Sequence, residues 1–461
     1  MSPWARAALV RDLLLAEGLA SVARRLLDRW SAARRERDFA RLLPGAVPPR
    51  LRTPILHVSA HPPDPWRGGV ETQLLARLEA EAREWPVALL HPRPGGHRLE
   101  LFGPSGRCAL DRDAREPHRP DHLAGDPALE AALLWAVDLL GSRLVVVEGL
   151  AGQSAASLES CIEARRLDLL LCLHDYAFAC PWPALVAADS GEACDLCREA
   201  TACAARTGRA ADEIAARRQT AANLIRRARL VVVPSLSLAS GLARLIPGAG
   251  IEVVPPTLQL APLAGRRRPA ARRRIAFLGG GQAHKGALLF ERMVAAWAGP
   301  PVEWHVYGGG DRSTLRRLAR LPGVAIRGYY RAGTLARRLR AEGMDLALLL
   351  SPWPESYLMT LDECLAGGIP VVLFDHGAPA ERVSRDVGVL VPSAGGAEAV
   401  QEVLLRWLAG GPPSNFEPRP VPRPEQAAHA FRGIYERLGF APDGSDDPAS
   451  SAATRSANSA T

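Results

Sequence analysis

Lysine is almost absent from this chain: among 57 basic side chains Lys285 is the one lysine, and the rest are arginine. Composition bias in the source genome accounts for an arginine excess, but not for where the single lysine falls. Long apolar runs are missing too. No stretch reaches the roughly 18 uncharged apolar residues that a transmembrane helix needs. Arg and Asp interrupt every early apolar stretch, so the layout of a secretory signal is absent. These absences predict a cytoplasmic protein, with peripheral contact at the inner face of a membrane as its one membrane role. Cysteine is sparse, at eight residues. In a long chain without a secretory signal these read as reduced thiols or metal ligands, not as a disulfide frame. Aromatic residues make up 5%. None interleaves with the basic run Arg266–Arg268 and Arg272–Arg274 to stack bases, which argues against nucleic acid as a partner and for a solvated linker.

What is present suits a globular α/β protein. The 461 residues are 48% hydrophobic and 23% charged, enough for two domains with separate cores. The net charge of +8 permits contact with anionic lipid or nucleotide. Residues 1–50 form a basic helical segment: Leu13, Leu14, Leu15, Leu19, Val22, Leu26 and Leu27 keep rough helical spacing among arginines. Its apolar face reads as packing on the main body, with an anionic membrane surface as the alternative.

The most informative stretch is Asp345–Glu363. Leu346–Leu350 has the length and composition of a buried strand. Ser351–Glu355 follow as a loop punctuated by Pro352 and Pro354, and Ser356 is placed to cap a helix over Tyr357–Ala366, which Gly367 and Gly368 stop. Ile369–Phe374 is a second buried strand. A helix N-terminus at the end of a parallel sheet is an anion site, because its first N–H groups have no partners. Glu355 precedes that helix and Glu363 lies eight residues on.

At Glu355-x7-Glu363 the chain resembles the retaining GT-B glycosyltransferases of family 4. The resemblance implies two Rossmann-like doubly wound domains facing a central cleft, and transfer of a sugar from a nucleotide-diphosphate sugar to a glycan or lipid-linked acceptor, in cell-surface polysaccharide biosynthesis. It places Glu355 on the donor sugar, Glu363 on the ribose, and the backbone of Ser356, Tyr357, Leu358 and Met359 against the diphosphate. The family often has Gly where this chain has Ser356 and Leu358. Catalysis in the family needs no metal. Two other classes fit the same shape: a sugar-nucleotide epimerase or phosphorylase, and a non-catalytic nucleotide-sugar-binding protein.

Three further motifs join the resemblance. Gly68-Gly69-Val70-Glu71 follows the strand Ile55–Ser59 and opens a helix; alone it is a glycine turn, but in the family such a loop faces the donor diphosphate. The strand Leu169–Leu173 ends in His174-Asp175-Tyr176, and a family histidine stands here near the transfer site. Gly279-Gly280-Gly281 leads to Lys285-Gly286 at a helix start. Backbone donors and one mobile cation suit a diphosphate, and the family's phosphate-binding lysine falls on the single lysine of the chain. The family usually has Arg where this chain has Gly280. The catalytic set is therefore His174, Lys285 and Glu355, and the donor-binding set is Gly68, Gly69, Gly279, Gly280, Lys285, Ser356, Tyr357, Leu358, Met359 and Glu363.

Four cysteines fall within 24 residues: Cys180, Cys194, Cys197 and Cys203. Four thiolates suit structural zinc or an iron–sulfur centre, and plain thiols remain the alternative. The spacing resembles a cysteine-bearing insertion after HDY in a subset of the family. Asp111-Arg112-Asp113 is a D-x-D without a hydrophobic strand before it and reads as a solvated turn; the segment around it, residues 92–127, reads as loops with short strands. The expected domains are 51–258, with the insertion at about 178–205, and 272–411. A crossing helix over 424–440 and a disordered tail over 442–461 follow.

Overall fold

The computed structural model describes residues 55–440 apart from 64–67, 104–105, 117, 120–122, 124, 188–192, 195–198, 264–272 and 411–417. The N-terminal basic segment, Cys197, most of the arginine run of the linker and the C-terminal tail lie outside the described residues.

Residues 55–253 run β1 (Ile55–Ser59), α1 (Gly69–Glu81), β2 (Val87–Arg93), β3 (Gly96–Gly103), β4 (Gly106–Asp113), α2 (Pro127–Leu140), β5 (Leu144–Glu148), α3 (Ala155–Arg165), β6 (Asp168–Cys172), α4 (Ala200–Thr207), α5 (Ala211–Arg227), β7 (Leu230–Val233), α6 (Leu236–Leu245) and β8 (Ile251–Val253). They form one sheet in the order β4-β3-β2-β1-β5-β6-β7-β8. The pairs from β2 to β8 through β1 are parallel, and β3 and β4 add an antiparallel hairpin at one edge.

The second half runs β9 (Arg273–Phe277), α7 (Ala287–Ala295), β10 (Val302–Tyr307), α8 (Arg312–Leu318), β11 (Val324–Gly328), α9 (Leu335–Ala341), β12 (Leu346–Leu349), α10 (Met359–Gly367), β13 (Val371–Phe374), α11 (Gly377–Ala380), β14 (Gly388–Val391), α12 (Gly396–Gly410) and α13 (Pro424–Arg437). Its sheet, β11-β10-β9-β12-β13-β14, is wholly parallel.

Parallel strands covered by helices on both faces must be apolar throughout. The runs Leu144–Val147, Leu169–Leu171 and Leu346–Leu349 are buried along their whole length. Leu129, Leu133, Leu158 and Ile162 pack on the first sheet from one side; each such side chain contributes about 1.5–3 kcal/mol on burial. Helix starts follow from capping chemistry. Asp126 accepts hydrogen bonds from the N–H groups of Ala128 and Leu129, Ser154 from Ser157, Ser235 from Leu238 and Asp311 from Thr314. The last helix, α13, returns to α1, where Phe431, Ile434 and Tyr435 join Leu74 and Leu78 in one cluster.

The strands expected in the segment 92–127 are present and longer than expected, eight residues each in β3 and β4. Three expectations are corrected. Asp111 and Asp113 lie on a strand, not in a turn, paired with Arg98 of the neighbouring β3 and with Arg93 at the end of β2. Ser356 does not cap the helix: α10 starts at Met359, after Leu358. The helix expected over 378–386 is the single turn Gly377–Ala380, and α4, inside the cysteine-bearing segment, was not expected.

Candidate active site

The carboxyl ends of the two sheets meet. Ser356, after β12, donates its hydroxyl to the carbonyl of His174, after β6, at 2.5 Å. Tyr176 donates to the carbonyl of Pro354 at 3.2 Å, and its ring lies edge-on to Trp353. A Cβ built on Gly69, the first residue of α1, would stand 3.0 Å from Met359 Sδ, the first residue of α10. Two helix N-termini therefore face each other across the cleft, where unpartnered N–H groups favour an anion.

Lys285 and Glu355 come together there. The Lys285 Nζ lies 2.6 Å from Glu355 Oε1. The carboxylate side chain is 5% exposed and the lysine side chain 25%, so the pair is open to the cleft from the lysine side. Ser351 donates a second hydrogen bond to Glu355 at 2.5 Å. Behind Glu355, its own carbonyl accepts from Ala378 N–H at 2.9 Å, which ties the loop to α11. His376, whose Nε2 is 3.0 Å from the Ser351 carbonyl, braces the same turn. Sequence reasoning missed His376 and Ala378, because nothing in their spacing marks them as supports.

The glycine loop is shaped by close backbone approach. Gly280 has φ +55, and a Cβ there would stand 2.1 Å from the carbonyl oxygen of Gly309. No side chain fits, so the arginine usual in the resembled family cannot stand at this position on this backbone. Gly286, with φ +85, would place a Cβ 2.0 Å from the carbonyl oxygen of Leu350. That contact seats the turn Ala283–Lys285 against the end of β12 and brings Lys285 to Glu355. Gly279 backs onto the Lys285 carbonyl from the other side.

The loop before α10 is held by Arg382, also missed from sequence. Its guanidinium binds the carbonyls of Tyr357 and Leu358, pairs with Asp362 at 2.6 Å and covers the Tyr357 ring at 3.9 Å. Burial pushes the Asp362 carboxyl up to about 6 against the pull of Arg382. Leu358 is left-handed, φ 72 and ψ 78, a conformation unfavourable for leucine.

Glu363 is not gathered into this group. It is 2% exposed, and its oxygens accept from the N–H groups of Gly333, Leu335 and Ala336 at 3.1, 2.5 and 3.3 Å, at the start of α9. Burial pushes its carboxyl up to about 7, and those N–H groups oppose the shift.

On the first domain, His174 is backed by charge. Its Nε2 lies 3.4 Å from Glu148 Oε2. Glu148 also meets His57 Nδ1 at 2.8 Å and the Arg77 guanidinium. Arg77 reaches Glu81 at 3.0 Å and lies 3.7 Å over the Phe431 ring of α13. Tyr435 donates to Glu81 at 3.3 Å. Burial works against the Glu148 charge, but Arg77, with hydrogen bonds from His174 and His57, more than offsets it and holds the carboxyl well below its usual range. From sequence, Arg77 and Glu81 look like an ordinary exposed i,i+4 pair on a helix. Gly68, the N-cap of α1, accepts from the Thr72 hydroxyl at 2.7 Å.

Cys180, Cys194 and Cys203 are buried in the first-domain core. Burial, and then the neighbouring Cys203 and Cys194 thiols, push the Cys180 thiol up to about 12. Cys197 lies outside the described residues. Among the described residues, no group of three or more His, Cys, Asp or Glu side chains could hold a metal ion, and no helix is long and apolar enough to cross a membrane.

No protein-family model and no curated protein sequence matches the chain. Solved structures do. Sucrose-phosphate synthase from Thermosynechococcus elongatus aligns over 84% of this chain and 99% of its own, with TM-score 0.63 and 18% identity. Anabaena HepE in complex with UDP-glucose aligns over 84% and 99%, with TM-score 0.53 and 14% identity. A glycosyltransferase from Rickettsia africae aligns over 84% and 98%, with TM-score 0.53 and 13% identity. The likeness is one of fold: two Rossmann-like domains in the GT-B arrangement.

Proposed function

We propose that this chain is a retaining glycosyltransferase that moves a sugar from a nucleotide-diphosphate sugar to a glycan or lipid-linked acceptor, in cell-surface polysaccharide biosynthesis. The observation that carries the reading is the Lys285–Glu355 pair, 2.6 Å apart, beside two helix N-termini that face each other across the cleft. A diphosphate carries the charge that such a site would bind. The Anabaena protein of the same fold was solved with UDP-glucose, which makes that compound the first donor to test.

On this reading the bond between the sugar C1 and the phosphate oxygen breaks, and the nucleoside diphosphate leaves with the electron pair. The acceptor hydroxyl oxygen bonds C1 on the same face, and its proton passes to the leaving phosphate. Lys285 and the N–H groups at Gly69 and at the start of α10 stabilise the charge that develops on the diphosphate. Glu355, released from Lys285 as the phosphates arrive, turns to the sugar. Glu363 takes the ribose with the one of its roughly four lone-pair sites that three N–H groups leave free. His174, held by Glu148 and Ser356, stands at the transfer site. No metal enters these steps. Cys180, Cys194, Cys197 and Cys203 are proposed as a separate structural zinc or iron–sulfur site, with plain thiols as the equal alternative.

The test is transfer itself. Incubation with a panel of nucleotide-sugars should release nucleoside diphosphate only when an acceptor is present. Lys285→Ala should cut that release 10²- to 10³-fold, about 3–4 kcal/mol of transition-state stabilisation. A second reading, donor binding without transfer, is favoured by the absence of a second cation at Gly280. Tight binding of UDP-glucose with no release under any acceptor would select it.

A further inference from the structure

One helical turn beyond Gly69 on α1, Gln73 is 4% exposed, and its Nε2 makes no hydrogen bond. Arg77, one turn further along the same face, commits its guanidinium to Glu81 and Glu148. Gln73 has no such partner. Native interiors hold few buried donors of this kind, because each has left water without gaining a hydrogen bond in return. Leucine would fill the same place on the helix without that cost, so an unpaired amide here points to a ligand.

The amide lines a cavity that opens to solvent. Its walls include Val232, Val233, Val254, Pro255 and Phe431, and His174 is part of its lining. It lies at the carboxyl ends of β6, β7 and β8, where ligands gather in open α/β sheets. The cavity measures about 20 Å³, against the about 10–15 Å³ that one water needs. That space excludes a sugar ring and admits the tip of a small substituent.

We propose that this cavity takes the acetamido group of an acceptor sugar, which makes 2-acetamido sugars the acceptor class. The proposal rests on the reading that places His174 at the transfer site. The acetamido carbonyl accepts from Gln73 Nε2, and its methyl meets valine and proline. A hydroxyl would bring a second proton donor between apolar side chains. The bare methyl of a deoxy sugar would leave the amide unpaired. A pocket that pairs a buried N–H with one substrate group disfavours analogues lacking that group, because the donor is then stranded. Gln73 would thus set acceptor choice from the first domain and take no part in holding the donor.

Saturation-transfer NMR on the full chain, in the presence of UDP, tests it. The probes are the methyl glycosides of N-acetylglucosamine, N-acetylgalactosamine and N-acetylmannosamine, each beside its counterpart with a hydroxyl at the same carbon. At least one acetamido sugar should bind about 10-fold or more tightly than its counterpart, with the acetyl methyl as its most strongly saturated group. Gln73→Leu should abolish that preference, bind UDP as the parent does, and melt no lower than the parent, since it replaces an unpaired amide. Equal binding of acetamido and hydroxyl sugars by the parent, or a preference that survives in Gln73→Leu, would overturn the proposal and leave the cavity to ordered water. Should Gln73→Leu not fold, the parent decides: an acetyl methyl saturated no more than the ring protons overturns the pocket. The transfer reading fails separately, since an acetamido preference in a chain that binds no UDP would keep the pocket and remove the diphosphate site.

Discussion

Lys285 and Glu355 form a contact that is better described as a latch than as a stabilising bridge. Removing two charges from water costs about as much as their attraction returns, so the pair adds little net stability. It does keep a cation and a carboxylate in the cleft, each able to exchange its partner for a ligand. Glu363 behaves differently. Its carboxyl is raised to about 7 by burial, above the ordinary 4.5, so the folded chain binds this proton more tightly than the unfolded chain. The stability it contributes is complete below about pH 4.5 and is lost as the pH rises through 7. Glu363→Gln should flatten the fall in melting temperature between these values, a slope on the order of 3 kcal/mol in total. A profile identical to the parent's would mean that Glu363 is ionised throughout. None of this could be read from sequence, where Glu363 shows only its spacing from Glu355. Lys285 drew attention in the sequence because the resemblance places a lysine at this glycine turn and the chain has one lysine.

The element that matters most is the turn into α10. Buried parallel strands such as Leu346–Leu349 announce themselves as unbroken apolar runs, and their position was legible. The turn was not. Ser356 has capping chemistry, but its hydroxyl goes to the His174 carbonyl on the other domain, and the left-handed position falls to Leu358, where local rules favour glycine. The hairpin β3–β4 was legible only as short strands among loops, and the place of Asp111 and Asp113 on a strand was not: as an edge the hairpin carries arginines and aspartates toward water. Leu358→Gly sets two effects against each other. It relieves about 1–2 kcal/mol of left-handed strain, and it removes a side chain that is 8% exposed, a loss of about 2–5 kcal/mol. The cavity wins, so denaturant unfolding should show a net loss of about 1–3 kcal/mol. UDP should nonetheless bind more tightly, because the diphosphate gains access to the backbone. Weaker binding would show that the leucine shapes the site instead of narrowing it.

At the scale of the whole molecule, charge is buried where the first domain meets the returning helix. Arg77, Glu81, Glu148 and His57 are all nearly inaccessible, and Tyr435 closes the group from α13. Sequence alone placed α13 as a crossing helix through its resemblance to a family, but the charges it covers gave no signal, since burial of Arg77 depends on contacts 350 or so residues away in sequence. Glu148→Ala would leave Arg77 buried without its main partner and should cost about 3–5 kcal/mol in urea unfolding. A loss below about 1 kcal/mol would mean that water reaches Arg77.

The central claim is that the cleft holds a diphosphate through Lys285. Because Lys285 is the one lysine in the chain, reductive methylation reports on it directly, without a mutant. UDP at about a hundred times its dissociation constant occupies the site in all but about one molecule in a hundred. The account predicts that Lys285 methylation then slows by about that factor, while the α-amino group reacts as before. Methylation of Lys285 at the same rate with and without UDP, under conditions where UDP binding is measured independently, would contradict it.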